Sequence, residues 1–273
     1  MIGRRPAPAK INLALVVGPA RDDRRHEVTT VLQRIDLCDR IALGPAPALT
    51  VTGFPDDTLV SAALRALAAA AGLEPRWAAA IEKHIPVAAG LGGGSSDAAT
   101  ALLLANDLLD EPLVAERLHA LAAPLGADVP FFLTPGPQLG ENDGTQLSSV
   151  DLPQDYWVVV VLPDDARKSS TAAVYSEFDR RAGVAGYEER RARLLGALAK
   201  MRRATDLAEL PPNDLASSPV VGELLARGAF RADVSGAGPA VYGLFLREED
   251  ANAAARALCT LGRTWVTVPA WYG

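Results

Sequence analysis

The segment HIPVAAGLGGGSSDAAT, residues 84–100, places Gly90, Gly92, Gly93 and Gly94 just ahead of Ser95, Ser96 and an apolar run. Glycine tolerates positive φ and lets the backbone come close to a bulky anion. A helix that starts here offers unpaired N–H groups and a partial positive charge. The two serines add hydroxyls that can cap the helix, touch phosphate or ligate Mg²⁺. The pattern reads as a phosphate cradle suited to a triphosphate. It is not a Walker sequence, because no Gly-Lys-Ser/Thr occurs in the chain, and it is not GxGxxG. The competing reading is a glycine linker. A linker would be polar on both sides, whereas this loop runs between an apolar strand and an apolar helix.

Outward from the loop, the pattern is mixed. KINLALVV at 10–17 reads as a strand, and RDDRRHE at 21–27 as a turn. VTTVLQRIDLCDRIAL at 28–43 supplies one or two strands, and LTVTG at 49–53 another. Thr58 to Ala71 is a helix by composition and length, and 76–86 holds a strand leading into the loop. DAATALLLANDLL at 97–109 is a helix apolar nearly all round, hence buried, and 113–126 is a second helix. The Gly-, Pro- and Ser-rich stretch 134–155 reads as loop and domain connection. YWVVVVLP at 156–163 is a buried strand, followed by helices, including one over 213–228. The tail alternates strand, strand, helix, strand, which fits a ferredoxin-like sheet with its helices grouped on one side.

Composition narrows the classes. The chain has 273 residues, of which 49% are hydrophobic and 22% charged, enough for two modest domains with a substantial core. A net charge of −6 gives no general attraction for nucleic acid or anionic membranes. No apolar run approaches the roughly 18 residues that span a bilayer. Cys38 and Cys259 are far apart, so no CxxC redox or metal motif is present and a reducing cytoplasm fits.

Three motifs resemble those of the GHMP kinases, the family of galactokinase, homoserine kinase and mevalonate kinase. HIPVAAGLGGGSSDAA is similar to the central phosphate-binding motif. PAKINLAL at 8–15 resembles the N-terminal motif, and VSGAGPAVYGLF at 234–245 the C-terminal glycine motif. They occur in family order and span nearly the whole chain. The resemblance implies an α+β, two-domain fold. Residues 1–150 would form an ATP-binding domain like domain 2 of ribosomal protein S5, and 151–273 a ferredoxin-like domain. It also implies ATP and Mg²⁺ as cofactors, a small-molecule acceptor, a cytoplasmic monomer or homodimer, and no nucleic-acid or membrane partner. The triple glycine, LGADVPFFL at 125–133 and His26-Glu27 with DLCDRI at 36–41 resemble one branch in particular. That branch phosphorylates the 2-hydroxyl of a cytidine diphosphate sugar alcohol in the non-mevalonate isoprenoid route.

The same resemblance assigns roles. Asp128 matches the catalytic base and Lys10 the lysine beside it. A carboxylate there can accept a hydroxyl proton, and an adjacent ammonium can hold it ionised. Pro86, Gly90, Leu91, Gly92, Gly93, Gly94, Ser95 and Ser96 match the ATP site, with Thr58 where relatives often carry an adenine-side asparagine. Ser96 is the candidate Mg²⁺ ligand. Asn12, Arg25, His26, Thr171 and Tyr175 match the acceptor site. Ser235, Gly236, Ala237 and Gly238 match a glycine turn facing it. In the family a tyrosine precedes the histidine and stacks on cytosine, within an Asp-Gly-Tyr-His run. Here Arg24 and Arg25 stand in place of Gly and Tyr. A guanidinium plane can also stack on a base, and its charge can reach a diphosphate. The segment 140–147 departs from the glycine-rich form of relatives. A homoserine or mevalonate kinase type, a silent nucleotide-binding regulator and a purely structural α/β protein with a glycine turn are the alternatives.

Overall fold

The N-terminal aliphatic run builds a long strand, β1 (Gly3–Ala20), buried without interruption from Ala7 to Gly18. The computed structural model describes residues 2–23, 25–164 and 170–270, so Arg24 lies outside the described residues. β1 pairs antiparallel with β2 (His26–Pro45) along nearly its full length. β2 is a single strand where the sequence left one or two. Its other edge is shared: β4 (Trp77–Glu82) pairs with residues 40–45, and β5 (Gln138–Glu141) with residues 30–32. β3 (Thr50–Thr52) adds parallel to β4, and β6 (Gln146–Ser149) antiparallel to β5.

The β5–β6 hairpin corrects the reading of 134–155 as loop and connection. Gln138, Leu139 and Gly140 are buried against the sheet, while Asn142 and Gly144 take positive φ and turn the chain. Helices α1 (Leu59–Ala71), α2 (Gly93–Asn106) and α3 (Ala115–Ala122) cover this sheet with one apolar core. Leu102 on α2 is fully buried there, so truncation to alanine costs about 2–5 kcal/mol. α2 begins at Gly93 rather than after the loop, so Gly93 to Ser96 form its first turn.

The second sheet comprises β7 (Trp157–Pro163), β8 (Arg231–Val234), β9 (Val241–Phe245) and β10 (Gly262–Thr267), in the order β10-β7-β9-β8 and antiparallel throughout. That order is the ferredoxin-like one. Between β7 and β8 lie α4 (Thr171–Arg180), α5 (Tyr187–Leu198) and α6 (Pro219–Ala226), and α7 (Glu248–Leu258) joins β9 to β10. α6 and α7 pack on one face through Leu224, Val220, Ala251 and Leu258. α6 is shorter than the expected 213–228, because Pro219 opens it with Ser218 as cap.

The opposite face of the second sheet is not solvated. Val158, Val160, Tyr242 and Leu244 share a core with Ile11, Leu13 and Val16 of β1 and Leu194 of α5. α4 instead lies against the first sheet, where Phe178 meets Leu15, Val17 and Val28. The mixed helices and sheets make this an α+β protein. β1 runs through the middle of it, next to both sheets, and carries Lys10 and Asn12.

Candidate active site

Lys10 and Asn12 are two apart on β1, so strand alternation sends both side chains to one face. Both are buried, at 3% and 4% exposure. Lys10 Nζ donates to Asn12 Oδ1 at 2.6 Å and sits 3.4 Å from Asp128 Oδ2. Asn12 Nδ2 in turn donates to Thr30 Oγ1 at 2.8 Å, and the Thr30 hydroxyl donates to the carbonyl of Ala14. This chain of bonds leaves Asn12 with its oxygen toward the lysine. The ammonium is therefore held by one neutral and one charged acceptor.

Asp128 follows Gly126 in a short turn that runs into a 3₁₀ turn at Pro130–Leu133. That turn is fixed from below by Arg34 of β2. Its guanidinium donates to the carbonyls of Phe131 and Thr134 and lies over the Phe131 and Phe132 rings. Gln138 donates to the same two carbonyls. Burial pushes Arg34 down to about 10. The Asp128 carboxylate itself is 37% exposed, so it reaches solvent and substrate.

The glycine loop meets this pair from the other side. Gly90 has φ +83°, and a Cβ there would lie 2.2 Å from the carbonyl oxygen of Ser235. Gly92 has φ +69°, and a Cβ would crowd Lys10 Cγ at 3.0 Å and Phe132 at 3.1 Å. Only glycine fits at either position. The C-terminal glycine motif closes over the loop: Ser235 Oγ donates to Gly90 O at 2.9 Å, and Ala240 N to Ala89 O at 2.9 Å. Asn213 ties that turn in place through the carbonyls of Val234 and Gly236. Lys10 N donates to Leu91 O at 2.9 Å, which locks β1 to the loop.

A cavity of about 360 Å³ opens where these parts converge. Among the expected residues, Lys10, Asn12, Gly90, Ser95, Asp128, Thr171, Tyr175, Gly236 and Gly238 line it. Burial, with Asp128 nearby, pushes the Tyr175 phenol up to about 12, so it stays neutral. The structure adds Thr30, Asp143 and Gly144 to the wall. Asp143 sits on the β5–β6 turn that the sequence offered only as loop. Burial alone would raise its pKa, but hydrogen bonds from Thr145 and Arg25 outweigh this and hold it below the usual carboxylate range.

Several expected residues sit elsewhere. Ser96 is wholly buried, and its hydroxyl has no partner among the described residues. Successive helical residues point about 100° apart, so once α2 starts at Gly93 it is Ser95, not Ser96, that faces the cavity. This corrects the choice of Ser96 as metal ligand. His26 is also off the wall. Its Nε2 is 2.8 Å from Asp179 Oδ1, and its ring backs Tyr175 at 4.9 Å. Arg25 reaches the site only through its ion pair with Asp143 at 2.5 Å. Leu91 is buried, Gly92 precedes α2, and Gly93 and Gly94 lie in its first turn; none of these, nor Pro86, lines the cavity. Thr58 is exposed at the start of α1 and lines no part of this cavity; Asp57 caps that helix instead. Among the described residues no cluster of three His, Cys, Asp or Glu could hold a metal. A Mg²⁺ ion here would arrive largely through phosphate oxygens, with Ser95 as the available hydroxyl, a ligand set that suits Mg²⁺.

Comparison with known proteins identifies the family. Residues 58–136 match the family model for the GHMP kinases N terminal domain, and residues 187–264 the one for GHMP kinases C terminal. The chain is 40% identical to 4-diphosphocytidyl-2-C-methyl-D-erythritol kinase of Geobacter metallireducens, over 96% of this chain and 95% of that protein. This chain belongs to the GHMP kinases. The same-named kinase of Anaeromyxobacter is 37% identical over 93% of this chain and 85% of its own length. A crystal structure of 4-(cytidine 5'-diphospho)-2C-methyl-D-erythritol kinase superposes with a TM-score of 0.80 at 33% identity, covering 98% of this chain and all 100% of that one. The mevalonate kinase of Methanococcus jannaschii, at 16% identity and a TM-score of 0.75 over 99% and 98% of the two chains, shares the GHMP fold. No helix among the described residues of this GHMP kinase is long and apolar enough to cross a membrane.

Proposed function

We propose that this chain transfers the γ-phosphoryl group of ATP to the 2-hydroxyl of 4-diphosphocytidyl-2-C-methyl-D-erythritol. The observation that carries the reading is one cavity lined jointly by Lys10, Asp128, Gly90, Ser95 and Tyr175. A base, a cation, a phosphate cradle and a base-stacking ring are the parts such a transfer needs. The 40% identity to a kinase of that name supports the acceptor.

Asp128 accepts the proton of the 2-hydroxyl as its oxygen attacks the γ-phosphorus. The new P–O bond forms while the bond from the γ-phosphorus to the β–γ bridging oxygen breaks, and ADP leaves. The Lys10 ammonium, 3.4 Å from Asp128, holds the carboxylate toward the acceptor and offsets charge on the transferring group. The N–H groups of the first turn of α2 and the loop backbone hold the phosphates. Ser95 would hold Mg²⁺ together with the nucleotide phosphates, and the ion would supply neutralisation of phosphate charge. Tyr175 stacks on the cytosine, with His26 packed behind it and Thr171 at its edge. Arg25, paired with Asp143, stands where the family's tyrosine precedes the histidine.

The domain division falls at about residue 150 in this reading, and the enzyme works in the cytoplasm, where ATP is available. The test is ADP release from Mg-ATP with four acceptors: the cytidylyl methylerythritol, homoserine, mevalonate and galactose. Turnover with the first alone is expected. Turnover with another acceptor and none with the first would overturn the reading.

A further inference from the structure

Asp39 lies in the DLCDRI stretch of β2 and is completely buried, at 0% exposure. Its Oδ1 accepts from the backbone N–H of His84 at 2.6 Å and of Ile85 at 2.8 Å. Its Oδ2 accepts from Lys83 Nζ. The same ammonium donates to Asp97 Oδ2 at 2.7 Å. Asp97 is itself 2% exposed and belongs to the first turn of α2. None of the three lines the catalytic cavity.

The cluster grips both ends of the glycine loop. Asp39 holds residues 83–85, where the chain leaves β4. Through Lys83 it also holds Asp97, where the chain settles into α2. Residues 86–96 run between these two anchored ends, and their middle is tied in turn to Lys10, Ser235 and Ala240. The loop also rests on the cluster. A Cβ at Gly93 would come within 3.3 Å of Lys83 Nζ and 3.0 Å of Ile85 Cγ2. Two buried carboxylates around one ammonium are a costly way to gain stability, since apolar residues of similar volume often do as well. What apolar residues cannot do is fix two chain ends at hydrogen-bond precision. A shift of about 1 Å in a bound reactant can cost about 10²-fold in rate.

We propose that Asp39 is a positioning residue for the nucleotide, acting through Lys83 and the amides of His84 and Ile85 to set the glycine loop. This rests on the reading of that loop as the ATP cradle. Asp39 touches neither nucleotide nor acceptor, so its loss changes nucleotide binding and spares acceptor binding.

The experiment is titration calorimetry of Mg-ATP on the full chain, with acceptor KM measured at saturating ATP. The set is wild type, Asp39→Asn, Lys83→Met, Lys83→Arg and the double variant Asp39→Asn with Lys83→Met. Each of the first two single variants is expected to weaken Mg-ATP binding about tenfold while leaving acceptor KM within about twofold. The double variant is expected to lose no more than the worse single one, because the groups act as a unit. Lys83→Arg restores binding to within about threefold, since it keeps the cation. Folded variants that bind Mg-ATP like wild type, losses that add, or an equal loss for the acceptor would overturn the proposal. If Asp39→Asn does not fold, Lys83→Met, whose side chain is 15% exposed, decides by the same criteria. Wild type that binds Mg-ATP but fails to phosphorylate the cytidylyl acceptor refutes the proposed reaction and leaves this inference standing. Wild type that does not bind Mg-ATP refutes both.

Discussion

Lys10 Nζ stands 3.4 Å from Asp128 Oδ2, although the two residues come from the first strand and from a turn more than a hundred residues later. The lysine is 4% exposed at its side chain and the aspartate 37%, so the cation is set and the carboxylate is presented. If Asp128 takes the acceptor proton, Asp128→Asn should lower kcat by about 10²–10⁴-fold, the usual contribution of a general base. The KM for ATP should stay within about threefold. Steady-state kinetics at saturating acceptor reads both, and an unchanged kcat would remove Asp128 from the mechanism.

Gly90→Ala should damage the site from within the loop. The substituted residue must hold φ at +83° with its Cβ only 2.2 Å from Ser235 O. The conformational strain alone is about 1–3 kcal/mol, and the clash forces the C-terminal glycine turn away. A lower urea midpoint and weaker Mg-ATP binding are expected together. A variant with wild-type midpoint and affinity would show that the loop and turn are not interlocked.

Tyr175 lines the cavity with the His26 ring packed behind it at 4.9 Å. Stacking of a base on an aromatic ring is worth about 1–3 kcal/mol. Tyr175→Ala should therefore raise the acceptor KM about tenfold or more, and Tyr175→Phe should not. Acceptor KM measured for both variants separates a ring that stacks from a hydroxyl that bonds. An equal rise for Phe and Ala would reject stacking.

Asp97 gives a pH signature in stability. Burial, reinforced by the neighbouring Asp39 carboxylate, pushes it up to about 7 against the pull of Lys83. Unfolded, an aspartate titrates near 3.9. Between about pH 4 and 7 the folded chain keeps a proton that the unfolded chain has lost, so this group's contribution falls as pH rises through that window. Asp97→Asn abolishes it. The stability of the variant relative to wild type, from urea unfolding, should be more favourable at pH 8 than at pH 5. A difference that is the same at both values would mean Asp97 is ionised throughout.

The sequence carried the parts whose physics is local. Glycines at 90 and 92 announce a backbone that no side chain allows, and the alternation of Lys10 and Asn12 on one strand face was legible from spacing alone. The apolar run of 97–109 announced a buried helix. What depends on distant partners was hidden. Whether Ser95 or Ser96 faces the cavity turns on where α2 starts, and Gly93 looked like loop. Asp143 sits in a stretch whose Gly, Pro and Ser content reads as connection, because a hairpin of two four-residue strands has little apolar signal of its own. His26 matches the acceptor site by resemblance, yet its Nε2 is engaged by Asp179, 153 residues away. Asp39 has no signal beyond the DLCDRI stretch and Lys83 none beyond the strand that leads into the loop, since their meaning lies in backbone amides and a carboxylate that only the fold brings near.

The central claim is a phosphoryl transfer from ATP to one hydroxyl at the Lys10–Asp128 pair. The measurement that tests it most directly is ³¹P NMR of the product made from 4-diphosphocytidyl-2-C-methyl-D-erythritol and Mg-ATP. A new phosphomonoester on the 2-hydroxyl, formed with ADP by wild type and lost in Asp128→Asn, is the expected result. ADP with free phosphate and no phosphomonoester, or a phosphomonoester formed equally well by Asp128→Asn, would contradict it.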